Sequence, residues 1–127
     1  MNEPVWIGLG EALALHGRVL ARHGGPDGVR DLSLLESALA RPRQMFSYKD
    51  SVDLTALAAA YTFGIVRNHP FTDGNKRAGF VVGVLFLELN GLRFRASQAE
   101  AANAVIALAA ETMEEAAYAA FLRANVG

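Results

Sequence analysis

The stretch His69-Pro70-Phe71-Thr72-Asp73-Gly74-Asn75-Lys76-Arg77 decides the reading of this chain. It joins two apolar runs of helical length, residues 56–66 before it and 78–89 after it. His69-Pro70 ends the first run, because a residue before proline is pushed out of the helical region. The second helix opens near Asn75. Between them lie an imidazole, a carboxylate, a turn glycine, an amide and two cations. A connection that only reversed the chain would need none of these groups, so the loop is read as a place where chemistry is done.

Composition bounds what surrounds it. A chain of 127 residues is one domain, spanning 1–127, long enough for a single core. A hydrophobic content of 52% with 20% charge fits a folded chain rather than a disordered one. The net charge of −1 leaves no polybasic surface for nucleic acid. Cysteine is absent, which excludes disulfides and thiolate sites and fits a reducing cytoplasm, the expected location. The opening Met1-Asn2-Glu3-Pro4 lacks the charged and apolar regions of a signal peptide. The longest apolar run, 78–87, is about half of the ~20 residues a membrane span needs and reads as a core helix.

Working outward, residues 6–21 predict a first helix, with Leu9, Leu13, Val19 and Leu20 on one face and His23-Gly24-Gly25-Pro26 as its stop. Asp31 or Ser33 caps a short second helix through Leu39, with Glu36 spaced for a capping box behind Ser33 and Arg41-Pro42 as its end. Residues 44–50 show no helical period and read as a short strand or hairpin flap. Asp53 caps a third helix to Asn68. The fourth runs from Asn75 to Leu89 and stops at Asn90-Gly91. Residues 92–95 are extended, Ser97 caps a fifth helix to about Glu111, and 114–123 form the last. The expected fold is all-α: five or six helices around a buried central helix, the apolar fourth, with a short flap.

Elementary chemistry gives the loop a task. A helix N-terminus offers unpaired N–H groups and a partial positive charge to an anion. Gly74 permits close approach of a ligand to the backbone. Asn75 adds a side-chain amide donor, Arg77 a planar fork for two phosphate oxygens, and Lys76 a point charge. Asp73 supplies a hard oxygen ligand, and magnesium is commonly held by one or two carboxylates plus the substrate's phosphates. His69, across the loop, is placed to take a proton from an attacking hydroxyl. Singly, each part has a plainer role: a histidine at a helix end caps it, Asp-Gly is a common turn, and Lys-Arg is a solvated face. Together they point to transfer of a phosphorus-containing group.

The loop resembles the signature of the Fic family, His-x-Phe-x-(Asp/Glu)-Gly-Asn-x-Arg-x-x-Arg, at every position but the last. The small size, Lys76 and the N-terminal half, with Gly24-Gly25-x-x-Gly28-x-Arg30-Asp31, Leu35-x-Ser37-Ala38 and Arg41-Pro42, are similar to its Doc (death on curing) toxins. The resemblance implies a compact helical fold that binds nucleotide phosphates at a helix N-terminus, with ATP as co-substrate and Mg2+ as cofactor. His69 matches the family's base and Asp73 its magnesium ligand. Gly74, Asn75 and Lys76 match its anion-binding turn, and Arg77 its first phosphate-binding arginine. Gln44, Met45, Phe46, Ser47 and Tyr48 fall where the family has a flap that docks the target's backbone as an added strand.

The signature's final arginine falls on Phe80. Most Fic enzymes bind ATP with that arginine and transfer AMP. Doc toxins lack it, bind ATP reversed and transfer the γ-phosphate. Their target is a threonine of elongation factor Tu, whose phosphorylation stops translation. The resemblance therefore implies a kinase toxin. An AMP transferase, for which a glycine at 74 is the usual choice, and a non-catalytic nucleotide- or partner-binding module are the alternatives. Many Fic proteins also carry an inhibitory Ser/Thr-x-x-x-Glu-Gly/Asn helix, and no Ser or Thr here has that pattern after it. The implied brake is a separate partner, a small Phd-like antitoxin whose disordered C-terminal segment folds over the site. Neither nucleic acid nor a membrane is an expected partner.

Overall fold

A computed structural model describes residues 2–49 and 51–127. Among them are six helices: α1 (Leu9–His23), α2 (Leu32–Tyr48), α3 (Leu54–Asn68), α4 (Asn75–Leu89), α5 (Gln98–Ala109) and α6 (Glu115–Ala124). The described residues contain no strand, only two isolated bridges, Val29 with Phe71 and Phe94 with Val126. The fold is all-α, as expected. No described helix is long and apolar enough to cross a membrane.

The centre is α3 rather than α4. Leu57, Ala58, Ala59, Ala60 and Tyr61 form an unbroken buried run, and a helix apolar on all sides must be covered on all sides. Helices α2, α4, α5 and α6 pack around it. Helix α4 keeps Phe80, Val81, Val84 and Leu85 half-exposed. Small residues decide which helix sits inside, because only a thin helix lets four neighbours approach. Gly79 and Gly83 lay α4 against the backbone of α3, where the Thr62 hydroxyl donates to the Gly79 carbonyl at 2.8 Å. Gly64 opposes Ala38 of α2 so closely that an added Cβ would stand 3.1 Å from the alanine's own.

Helix α2 corrects two expectations. Asp31 is the cap, accepting from Leu34 N–H at 3.1 Å, and Ser33 donates its hydroxyl to Asp31 instead of forming a box with Glu36. The helix also continues through Pro42 to Tyr48, so Gln44, Met45, Phe46, Ser47 and Tyr48 are its last turns and not a strand. Proline removes one N–H and crowds the preceding turn. Here Pro42 and Met45 are buried together, and Phe46 packs edge-on against Trp6 at 5.7 Å. That burial outweighs the local penalty. Lys49 closes the helix by donating its N–H to Met45. Asp50, the end of the expected flap, lies outside the described residues; Lys49 and Asp53, the caps of α2 and α3, have extended backbone.

The first helix starts at Leu9, and its buried face is Ala12, Leu15, His16 and Val19, while Leu13 is exposed. The other caps fall where expected: Asp53 accepts from Ala56 N–H at 2.9 Å, and Ser97 and Glu100 form a capping box. Burial pushes the Asp53 carboxyl up, but Arg123, the Thr55 hydroxyl and the Ala56 N–H together hold it below its usual value. A depressed folded-state value stabilises the fold above ~3.9, the unfolded carboxyl's midpoint, and the contribution is lost as pH falls through the folded value. Asp53→Asn is thus expected to lower Tm at neutral pH, and thermal melts should show the gap to wild type closing in acid.

Candidate functional site

Residues 69–74 join α3 to α4 and are held in place from three sides. Phe71 is buried, and the Asn75 side chain clamps its backbone, accepting from Phe71 N–H at 3.0 Å and donating to its carbonyl at 3.1 Å. This corrects one assignment. The Asn75 side chain gives its oxygen and one amide N–H to the loop's own backbone, so its first role is to hold the loop, with its main-chain N–H at the helix end. The same pairing turns Phe71 inward and leaves Thr72 and Asp73 exposed.

The second restraint is the segment before α2. Arg30 and Asp31 donate their backbone N–H groups to the Pro70 carbonyl, and Thr72 donates to the carbonyl of Gly28. The Arg30 guanidinium donates from Nε to the His69 carbonyl at 2.7 Å and from Nη2 to the Asn68 carbonyl at 2.9 Å. Both carbonyls belong to the C-terminus of α3, which lacks helical partners. His69 itself has φ 50, a left-handed conformation that costs a non-glycine residue roughly 1 kcal/mol or more. The fork of Arg30 holds it there. Arg30→Ala is therefore expected to cost about 1 kcal/mol of stability, read as a Tm loss of roughly 4 °C. Any transfer reaction using His69 should fall further than that small loss explains, because the imidazole is no longer aimed.

The third side is α1 with the turn after it. Gly25 has φ 118, and a Cβ there would stand 2.5 Å from Asp73 Oδ2. The bare backbone is what lets this turn lie beside the Asp73 carboxylate. From within α1, His16 stacks face to face on Phe71, with ring centroids 3.8 Å apart, and its Nε2 meets the Asp73 carbonyl at 2.8 Å.

The result is an open helix N-terminus. Gly74 is left-handed (φ 78, ψ 19), and Asn75 begins the right-handed helix. That alternation turns the successive N–H groups of Gly74, Asn75 and Lys76 into one concavity, an arrangement that binds anions. Among the described residues no side chain caps this end, and Asp73, Lys76 and Arg77 are exposed with no ion-pair partner. His69 is also exposed. Thus His69, Asp73, Lys76 and Arg77 are exposed in the loop and first turn at one helix end, with Gly74 as its N-cap. Gln44, Met45, Phe46, Ser47 and Tyr48 are the C-terminal turns of α2, whereas the loop is bonded by Arg30 and Asp31 at the opposite, N-terminal end of that helix. Phe80 packs against Phe94 in a T-shaped pair at 5.7 Å, within the apolar contacts of α4. Sequence reasoning left out His16, and read Gly25 as a helix stop and part of the Doc-like pattern without placing it beside Asp73. The signal for His16 was present: an imidazole at the i+4 position from Ala12, on an otherwise apolar face.

Residues 6–87 match the Fic/DOC family, and the chain belongs to that family. Two of its relatives are named Doc. It is 34% identical over 83 residues to "Protein kinase doc" of Escherichia phage P1, covering 65% of this chain and 66% of that protein. It is 39% identical over 74 residues to "Toxin Doc" of Mycolicibacterium smegmatis, covering 58% of this chain and 57% of the relative. The matched stretch spans less than two thirds of either relative.

Proposed function

We propose that this protein is a Doc-type toxin that transfers the γ-phosphate of ATP to a serine or threonine hydroxyl of a translation factor, elongation factor Tu, and so arrests translation. The observation that carries this is the uncapped N-terminus of α4, flanked by Asp73, Lys76 and Arg77 with no ion-pair partner among the described residues. A relative named as a protein kinase supports the same chemistry.

The backbone N–H groups of Gly74, Asn75 and Lys76 bind phosphate oxygens, and Arg77 grips two more. His69 accepts the proton of the acceptor hydroxyl as its oxygen bonds to phosphorus and ADP leaves. The residues fit magnesium in one mode. Among those described there is no group of three or more His, Cys, Asp or Glu side chains able to cage a cation. One carboxylate, Asp73, lies at the cradle, which suits an ion held mainly by the nucleotide's own phosphates. Bound there, magnesium supplies charge neutralisation. Phe80 favours phosphate over AMP transfer, because the phosphate grip that an arginine would provide at that position is missing. With no inhibitory motif in the sequence, restraint falls to a small Phd-like antitoxin covering the loop.

The test is intact-protein mass spectrometry of elongation factor Tu incubated with this protein, ATP and magnesium. A gain of ~80 daltons is expected from attack at the γ-phosphorus; ~329 daltons would mean AMP transfer and would overturn the reading of Phe80. No gain would remove elongation factor Tu as the target.

A further inference from the structure

We propose that His16, in the middle of α1, is a positioning residue for the phosphate cradle: it holds the Asp73–Gly74 peptide plane so that the Gly74 N–H faces the anion. The inference rests on the reading of the α4 N-terminus as that cradle.

His16 is only 3% exposed, on a face otherwise made of Ala12, Leu15 and Val19. Leucine or phenylalanine would fill that place without a polar atom to satisfy, so the imidazole is explained by its partner. The partner is the Asp73 carbonyl, which can only accept. Nε2 therefore carries a proton and donates it, whichever state Nδ1 is in.

The peptide is planar and trans, so its C=O and N–H point in opposite directions. Drawing the Asp73 oxygen inward to His16 turns the Gly74 N–H outward, towards the concavity. Rotation of the plane by half a turn would do the reverse, placing a carbonyl oxygen where a phosphate must sit. Gly74 does not oppose that rotation. Flipping the plane changes ψ of Asp73 together with φ of Gly74, and glycine accepts either sign of φ at little cost. Gly74 thus supplies the left-handed bend and leaves the plane unlocked, and His16 locks it. The ring is held in turn by its stack on Phe71, and Phe71 by the Asn75 amide. Asn75, Phe71, His16 and the Asp73 carbonyl form one relay that ends at an anion-binding N–H.

Three proteins test this: wild type, His16→Phe, which keeps an aromatic ring on Phe71 but has no donor, and His16→Gln, whose amide reaches about as far as Nε2. The probe is magnesium tripolyphosphate, and the readout is the Gly74 amide resonance in 15N-labelled protein, with thermal melts to confirm folding. The Gly74 amide is expected to shift on titration in wild type and His16→Gln. In His16→Phe, binding should weaken about ten-fold or more, the effect of losing one aligned donor to an anion. A folded His16→Phe protein that binds as wild type does would make His16 a core residue and overturn the proposal. So would a wild-type His16 whose Nε2–H is absent from the imidazole 15N spectrum at neutral pH, an observation that needs no variant. A wild-type Gly74 amide indifferent to the probe would overturn the cradle and the role of His16 together. If the amide responds as described but no protein acceptor gains mass, the proposed kinase activity fails and the positioning role stands.

Discussion

His69→Ala is expected to abolish detectable transfer to the protein acceptor while leaving the fold standing. A positioned general base contributes roughly 10²- to 10⁴-fold, and His69 is the one imidazole in the stretch 69–77. The His69 ring is exposed and has no hydrogen-bond partner among the described residues, so its removal uncovers no core. The backbone needs a control. At φ 50, alanine pays more for the left-handed conformation than histidine does. His69→Asn separates the two effects, because asparagine tolerates that conformation and cannot act as a base. Both variants should lose activity; only the alanine variant should lose about 1 kcal/mol of stability. Acceptor phosphorylation measured beside urea titrations decides the matter, and an asparagine variant with wild-type rates would remove His69 from the chemistry.

The largest effect on stability is expected at Gly83. A Cβ there would run into the Thr62 hydroxyl and stand 3.1 Å from the Ala58 carbonyl oxygen. Neither can yield cheaply. Thr62 is buried and donates to the Gly79 carbonyl, and Ala58 is backbone at the centre of the fully buried α3. Gly83→Val must force α4 off α3 or break that hydrogen bond, at about 3 kcal/mol or more from overpacking and a lost buried bond together. Gly83→Ala should cost less, since alanine returns about 1 kcal/mol of helix propensity. Gly10 and Gly17 in α1 are the controls: an added Cβ meets nothing within 4 Å at either, and alanine there should be neutral or stabilising. Urea titrations should show a lower midpoint at unchanged slope for the Gly83 variants. A Gly83→Val protein as stable as wild type would mean that α3 and α4 do not approach as closely as described.

The sequence alone determined the elements whose signals are local. Asp53, Ser97 and Asn90-Gly91 mark helix ends through side chains or turns a few residues away, and α3 and α5 begin, and α4 stops, where those signals place them. The polar loop was legible for the same reason, because its unusual groups are contiguous and sit between two proline- and glycine-marked boundaries. What only the tertiary structure decided depends on partners far along the chain. Pro42 stays inside α2 because burial of Pro42 and Met45 and the contact of Phe46 with Trp6 outweigh a local helix breaker. The thin, alanine-rich α3 takes the centre because Gly79, Gly83 and Ala38 come to it from other helices. Asn75 is turned from a phosphate donor into a clamp by Phe71, and His16 from one more residue of α1 into the partner of Asp73, 57 positions away. Local rules read hydrogen bonds and dihedrals between neighbours. Burial and long-range hydrogen bonds are collective, and they have no value until the helices have met.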